Sequence, residues 1–167
     1  MDYFKLPIAL FCLLIFAGAA DAFEKVHYPL TNEPLDVIIP SFEKDKGILP
    51  LCIQGIKENV PNVRRIIVIS DTRLTEEAEW FDEKLYPFTK WDVAVELTKN
   101  EKEAALFYKN GGFAGWYFQQ LLKLYAAFVI PDLSSNILAV DSDTIFLNPV
   151  TLLTGENGAL FAYGTEY

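Results

Sequence analysis

Leu35-Asp36-Val37-Ile38-Ile39-Pro40 and Arg65-Ile66-Ile67-Val68-Ile69-Ser70 are continuous apolar runs, and between them Gly47 to Asn59 repeats apolar positions every three and four residues. Each run is short enough for a strand and has no polar alternation, so it reads as a strand buried on both faces. The segment between reads as a helix, with Pro61 closing it. A strand, a crossover helix and a second buried strand make a βαβ unit, for which a parallel sheet is the expected outcome. These residues therefore predict an α/β domain.

Beyond Ser70 the pattern weakens. Asp71 to Leu74 is polar, and Thr75 followed by Glu76 and Glu77 predicts a helix N-terminus carrying Trp80 and Phe81 and ending near Pro87. Asp92 to Leu97 alternates as a third strand, Lys99 to Lys109 is charged and helical, and Gly111-Gly112 breaks it. The best-defined helix starts near Ala114 and ends before Pro131. Its predicted buried stripe is Phe118, Leu121, Leu122, Tyr125, Phe128 and Val129, and Trp116, Gln119, Gln120 and Lys123 share another face. After a turn at Ser134-Ser135-Asn136, Ile137-Leu138-Ala139-Val140 is a strongly apolar strand running into Asp141-Ser142-Asp143. Thr144 to Leu147 continues extended, and Gly158 to Tyr163 is a last strand candidate. No internal repeat or flexible linker interrupts the chain.

The 167 residues carry a net charge of −9, so general nucleic-acid binding, which needs clustered Lys and Arg, is not expected. Half the residues are apolar, which excludes an intrinsically disordered chain. Two cysteines, Cys12 and Cys52, make neither a disulfide framework nor a zinc cluster. Cys52 falls in the helical spacing of Leu49, Ile53 and Ile56, as a small buried hydrophobe does. His27 is the sole histidine, so catalysis would run mainly on carboxylates, hydroxyls, lysines or a metal.

Residues 1–22 read as a leader outside the fold. Lys5 precedes an apolar run from Leu6 to Ala20, and Ala20-Asp21-Ala22 matches a small-x-small cleavage site. As a helix the run spans about 22 Å, short of the roughly 30 Å hydrocarbon core of a bilayer. A signal peptide is the expectation, with a short membrane anchor through residues 6–20 as the alternative.

Asp141-Ser142-Asp143 carries the main functional signal. A parallel strand delivers its C-terminal end to the crevice where open α/β sheets bind ligands. Two carboxylates one residue apart repel unless a cation joins them. Magnesium or manganese, with oxygen ligands and positions left open for substrate phosphates, meets that need. The structural alternative is a strand-end turn with two solvated aspartates. A phosphatase of the HAD-like type, whose signature is Asp-x-Asp-x-Thr, fits less well, because Ile145 occupies the place of the threonine and the strand comes late in the chain.

The run from the apolar strand through Asp141-Ser142-Asp143-Thr144-Ile145-Phe146-Leu147-Asn148-Pro149-Val150 resembles the Asp-x-Asp segment of GT-A glycosyltransferases, particularly the glycogenin-like group and an uncharacterised glycosyltransferase-like group. Gly115 to Tyr125 resembles the helix before that motif, and Leu35 to Pro40 the opening nucleotide-binding strand. The resemblance covers residues 35 to about 163. It implies a three-layer, Rossmann-like nucleotide-sugar-binding half with a mainly parallel sheet over 35–167, and a transferase using Mn2+ or Mg2+ with a nucleotide-sugar donor. Carried over, Asp143 would ligate the metal, Asp141 would bind metal or donor ribose, and Lys123 would add positive charge near the diphosphate. Asp71 would accept from a uracil-type base, Arg73 would meet phosphate, Trp116 would stack on sugar or base, and Gln120, like Gln119, would serve sugar hydroxyls. The loops Ser41 to Asp45 and Ser70 to Arg73 would cradle base and ribose.

The family usually has substantially more chain after its Asp-x-Asp, and the glycogenin-like group takes a histidine ligand from there. Here about 24 residues follow Asp143 and none is histidine. The expectation is therefore a donor half without its acceptor half, whose last strand, ending at Tyr163, would lack cover and be prone to aggregate. The leader places such an enzyme in a secretory lumen or on a membrane, with a glycan, lipid or protein acceptor. The competing class is a relative that binds a sugar nucleotide or glycan without transferring it.

Overall fold

The computed structural model describes residues 33–109, 113–154 and 158–160. The leader, Cys12, His27, Gly111-Gly112 and Tyr163 lie outside the described residues. Strand β1 (Leu35–Pro40) leads to helix α1 (Leu49–Asn59), and strand β2 (Val63–Ser70) follows. Then come strand β3 (Glu79–Asp82), helices α2 (Lys90–Thr98), α3 (Glu101–Lys109) and α4 (Ala114–Val129), and strand β4 (Asn136–Ala139). The four strands form one sheet in the order β3-β2-β1-β4, every pair parallel.

Alternation along β1 and β2 divides the core in two. Val37, Ile39, Ile66 and Val68 meet Leu49, Cys52, Ile53 and Ile56 of α1. Ile38, Ile67 and Ile69 meet Phe118, Leu122 and Ala126 of α4, with Val93 of α2 beside them. The result is the expected three-layer α/β arrangement, with the two central strands buried on both faces.

The chain runs outward through β1, β2 and β3, then crosses back to place β4 on the other side of β1. This reversal leaves a topological switch point between the C-terminal ends of β1 and β4. The opposite, N-terminal end of the central strands is fastened by a buried carboxylate. Asp36 accepts hydrogen bonds from Arg64 Nε (2.9 Å) and Nη2 (2.5 Å) and from the Ser134 N–H (2.8 Å), joining β1, β2 and the approach to β4.

Three expectations are corrected. The segment expected to form a helix from Thr75 is instead a loop followed by β3: Thr75 Oγ1 accepts from the Glu77 N–H at 3.1 Å, a local turn that competes with helix capping. Trp80 Nε1 donates to the Ser70 carbonyl (3.2 Å), and Arg65 grips Glu79, tying β3 to β2. The expected strand over Asp92 to Leu97 is instead part of α2, whose N-terminus is set by a capping box. Thr89 Oγ1 accepts from the Asp92 N–H, and the Asp92 carboxylate accepts from the Thr89 N–H. In α4 the buried line is Ala114, Phe118, Leu122 and Ala126 rather than the wider stripe through Tyr125 and Phe128, which are exposed. The last strand candidate is represented by a single antiparallel bridge between Leu153 and Ala159.

Candidate functional site

The parallel ladder continues one residue past β4, where the Val140 N–H donates to the Ile38 carbonyl (3.0 Å). The chain then turns sharply, with the Thr144 N–H donating to the Asp141 carbonyl (3.0 Å). Ser142 is buried in this turn, while Asp141 and Asp143 are exposed on it. The Asp-x-Asp motif thus sits at the switch point.

Four contacts hold the turn and the segment after it against α1 and its C-terminal end. Cys52 Sγ donates weakly to the Asp141 carbonyl (3.7 Å). Beyond the turn, Phe146 passes over Gly55, where a Cβ would stand 2.9 Å from both the Phe146 N and O. Only glycine allows backbone that close. Asn59 Nδ2 donates to the Phe146 carbonyl (2.7 Å) and the Val150 N–H to the Asn59 carbonyl (3.0 Å), completing the strap. Burial, together with the charges of Asp143 and Asp141, pushes the Cys52 thiol up to about 11. Cys52 is therefore a packing residue under the site.

From the other side α4 presents Lys123 and Gln119 one turn apart. Lys123 Nζ lies 2.6 Å from Asp141 Oδ1, and Gln119 Nε2 donates to the same oxygen at 3.0 Å. The Lys123 side chain is 15% exposed and that of Asp141 50%, so solvent screens the pair only in part. Asp143 has no lysine or arginine partner among the described residues. The expected face of α4 therefore does meet the motif, through Gln119 rather than Gln120.

A groove of about 1040 Å³ adjoins Asp141 on the α4 side, lined by Phe42, Lys44, Lys90, Phe113, Gly115, Trp116, Tyr117 and Gln119. Its walls are aromatic and carry no carboxylate, in contrast to the acidic chain as a whole. Trp116 is one of these walls. Of the loop after β1, Phe42 and Lys44 contribute, while Ser41 Oγ is buried at the switch point with no partner among the described residues. Asp71 and Arg73 are not part of this groove. Asp71 sits past the end of β2, its carbonyl accepting from Lys84 Nζ, and Arg73 pairs with Glu76 at 2.8 Å and lines a different groove with Lys57 and Arg65. The sequence reading missed Lys90 and Phe113. Lys90 opens α2, over most of which the local pattern predicts a strand (Asp92 to Leu97), and Phe113 stands just before α4, where no local pattern marks a groove wall.

The donor set suits a hard divalent ion incompletely held by protein. Asp143 offers unpaired carboxylate oxygens, and Asp141 offers the oxygen not engaged by Lys123. No group of three or more His, Cys, Asp or Glu side chains able to hold a metal occurs among the described residues. Mg2+ is commonly held by one or two carboxylates with other ligands completing the shell, so Asp141 and Asp143 could contribute to holding such an ion but do not form a closed cage. No family model matches this sequence, and no curated protein is significantly similar to it.

Proposed function

We propose that this chain binds a nucleotide-sugar donor for a metal-dependent glycosyl transfer. The observation that carries the reading is the position of Asp141-Ser142-Asp143 at the switch point, with the Lys123 ammonium 2.6 Å from Asp141. Asp143 and the outer oxygen of Asp141 would hold Mn2+ or Mg2+. That ion, when bound, neutralises a diphosphate leaving group, which lets the glycosidic bond break without a histidine acid. Lys123 orients Asp141 and adds a fixed positive charge beside the phosphates. Gln119 keeps one N–H on Asp141 and lines the groove beside α4. Trp116 and Phe42 supply faces on which a planar base or a sugar stacks. The acceptor would be a glycan, lipid or protein, reached in a secretory lumen or at a membrane.

A second reading is a relative that holds a sugar nucleotide without transferring it. It is favoured by the Lys123–Asp141 pair, which already neutralises one of the two carboxylates. The test is incubation of the protein with UDP-sugars and GDP-sugars in Mn2+, following nucleoside diphosphate release. Release that needs Mn2+ and is lost in Asp143→Ala supports transfer chemistry. Nucleotide binding with no release supports the second reading, and release unaffected by Asp143→Ala contradicts the first.

A further inference from the structure

Helix α2 packs against α4, and a groove of about 530 Å³ lies between them. Val93 of α2 is buried and Leu121 of α4 half-buried, so its floor is apolar. Its walls carry the rings of Phe88, Tyr117 and Tyr125. Phe88 is fixed by edge-to-face contacts with Tyr86, Phe118 and Tyr125, whose ring centres lie 5.7, 6.2 and 5.1 Å away. Tyr86 is itself anchored, its hydroxyl donating to the Leu122 carbonyl at 2.9 Å. The aromatic wall is therefore held in place by the core beneath it.

The only charged groups lining this groove are the carboxylates of Asp92 and Glu96, one turn apart on α2. Hydrogen bonds from the side chain and N–H of Thr89 hold the Asp92 carboxyl below its ordinary value, so it is an anion at neutral pH. Both bonds fall on Oδ2, and Oδ1 stands outside the cap. The neighbouring lysines do not line the groove. Lys90 Nζ stands 4.8 Å over the Tyr108 ring and belongs to the groove beside Asp141. Lys99 pairs with Glu96, but both side chains are mostly exposed, and surface pairs of this kind are weak.

We propose that the groove between α2 and α4 binds a small organic cation, an ammonium group carried on an apolar body. Ring faces attract a cation through their quadrupole, and the two carboxylates attract it by charge. The apolar body covers Val93 and Leu121. The volume falls within the roughly 300–1,000 Å³ of small-molecule sites, and walls whose only charges are negative disfavour a phosphate or other anion. Tyr117 is the one residue common to this groove and the groove beside Asp141, whereas Phe113, Trp116 and Lys44 line the latter alone. This inference does not depend on the transferase reading.

The test is saturation-transfer difference NMR of the full chain with benzyltrimethylammonium, titrated to give a Kd, beside benzyl alcohol and phenylacetate as neutral and anionic probes. The expected result is saturation of the methyl and ring protons of the cation, with a lower Kd than either other probe. Asp92→Asn/Glu96→Gln raises that Kd roughly fivefold by removing two surface charges, and Tyr125→Leu raises it about threefold by removing a ring face. Trp116→Ala leaves it unchanged. Asparagine keeps the oxygen that the Thr89 cap needs, and an unchanged circular dichroism spectrum verifies folding. Glu96→Gln alone, which touches no cap, raises the Kd about twofold. Equal affinity for benzyl alcohol, or a Kd that removal of the charges leaves unchanged, overturns the proposal. So does loss of binding in Trp116→Ala but not in Tyr125→Leu, which would put the cation in the other groove, and so does absence of saturation transfer from folded protein.

Discussion

Replacing Gly55 with alanine tests whether the strap that follows the Asp-x-Asp turn is seated where the structure puts it. The new Cβ would lie 2.9 Å from the backbone N and O of Phe146, and neither atom is the free end of a flexible side chain. Overpacking of this kind costs about 1–3 kcal/mol. Lifting Phe146 also weakens its hydrogen bond from Asn59, at 2.7 Å, worth about 1 kcal/mol. Against this, alanine favours the helix over glycine by about 1 kcal/mol. The net is a loss of about 1–3 kcal/mol, or roughly 2–10 °C in Tm for a domain of this size. Thermal unfolding followed by circular dichroism reads it directly. Asn59→Ala removes the hydrogen bond alone, so the two substitutions in a double-mutant cycle should be non-additive, since both act on Phe146. A Tm unchanged or raised by Gly55→Ala would show that the strap does not press on α1, and the account of how Asp143 is held would fall with it.

Other consequences can be measured on the same protein. Burial raises the pKa of Asp36, but hydrogen bonds from Arg64 and Ser134, with the charges of Arg64 and Arg65, outweigh it and leave the carboxyl below its ordinary value. A lowered folded pKa contributes stability that is present above the unfolded value, about 3.9, and is lost as pH falls through the folded one. Urea unfolding at pH 7 should find Asp36→Asn about 2 kcal/mol less stable, with the difference narrowing below pH 4; a difference independent of pH would remove the charge from the explanation. With its thiol pushed up to about 11, Cys52 should resist alkylation at pH 8 in a Cys12→Ser background until urea unfolds the chain. Fast labelling of the native protein would place Cys52 outside the core. Leu122, fully buried against the sheet, should cost about 2–5 kcal/mol when cut to alanine, whereas Leu124→Ala on the exposed side of the same helix should leave unfolding nearly unchanged.

The parts of the fold legible in the sequence are those with strong local signals. The centres of β1 (Val37 to Ile39) and β2 (Ile66 to Ile69) are apolar without interruption because both faces are covered, and α1 and α4 carry long helical periods. β3 was illegible because it is a four-residue edge strand defined by Trp80 and Glu79 reaching across to β2, contacts that no local pattern announces. α2 was legible in principle: Thr89 and Asp92 stand at capping-box spacing, but the weak alternation of Asp92 to Leu97 pointed to a strand. In α4 periodicity alone could not say which of two apolar faces turns inward. The site divides in the same way. The strand-end position of Asp141 and Asp143 follows from local pattern, and helix spacing sets Lys123 on one face with Gln119. The approach of Lys123 to Asp141 needed the packing of α4 beside the strand end, and the assignment of Asp71 and Arg73 needed the path of the loop after β2, which carries Arg73 away to Glu76.

Calorimetric titration of the full chain with UDP and with GDP, each with and without Mn2+, addresses the central claim most directly. The account predicts binding of one of these nucleotides that requires Mn2+ and disappears in the Asp141→Ala/Asp143→Ala double variant. Absence of binding by protein whose circular dichroism confirms that it is folded, or binding that the double variant retains, would contradict it.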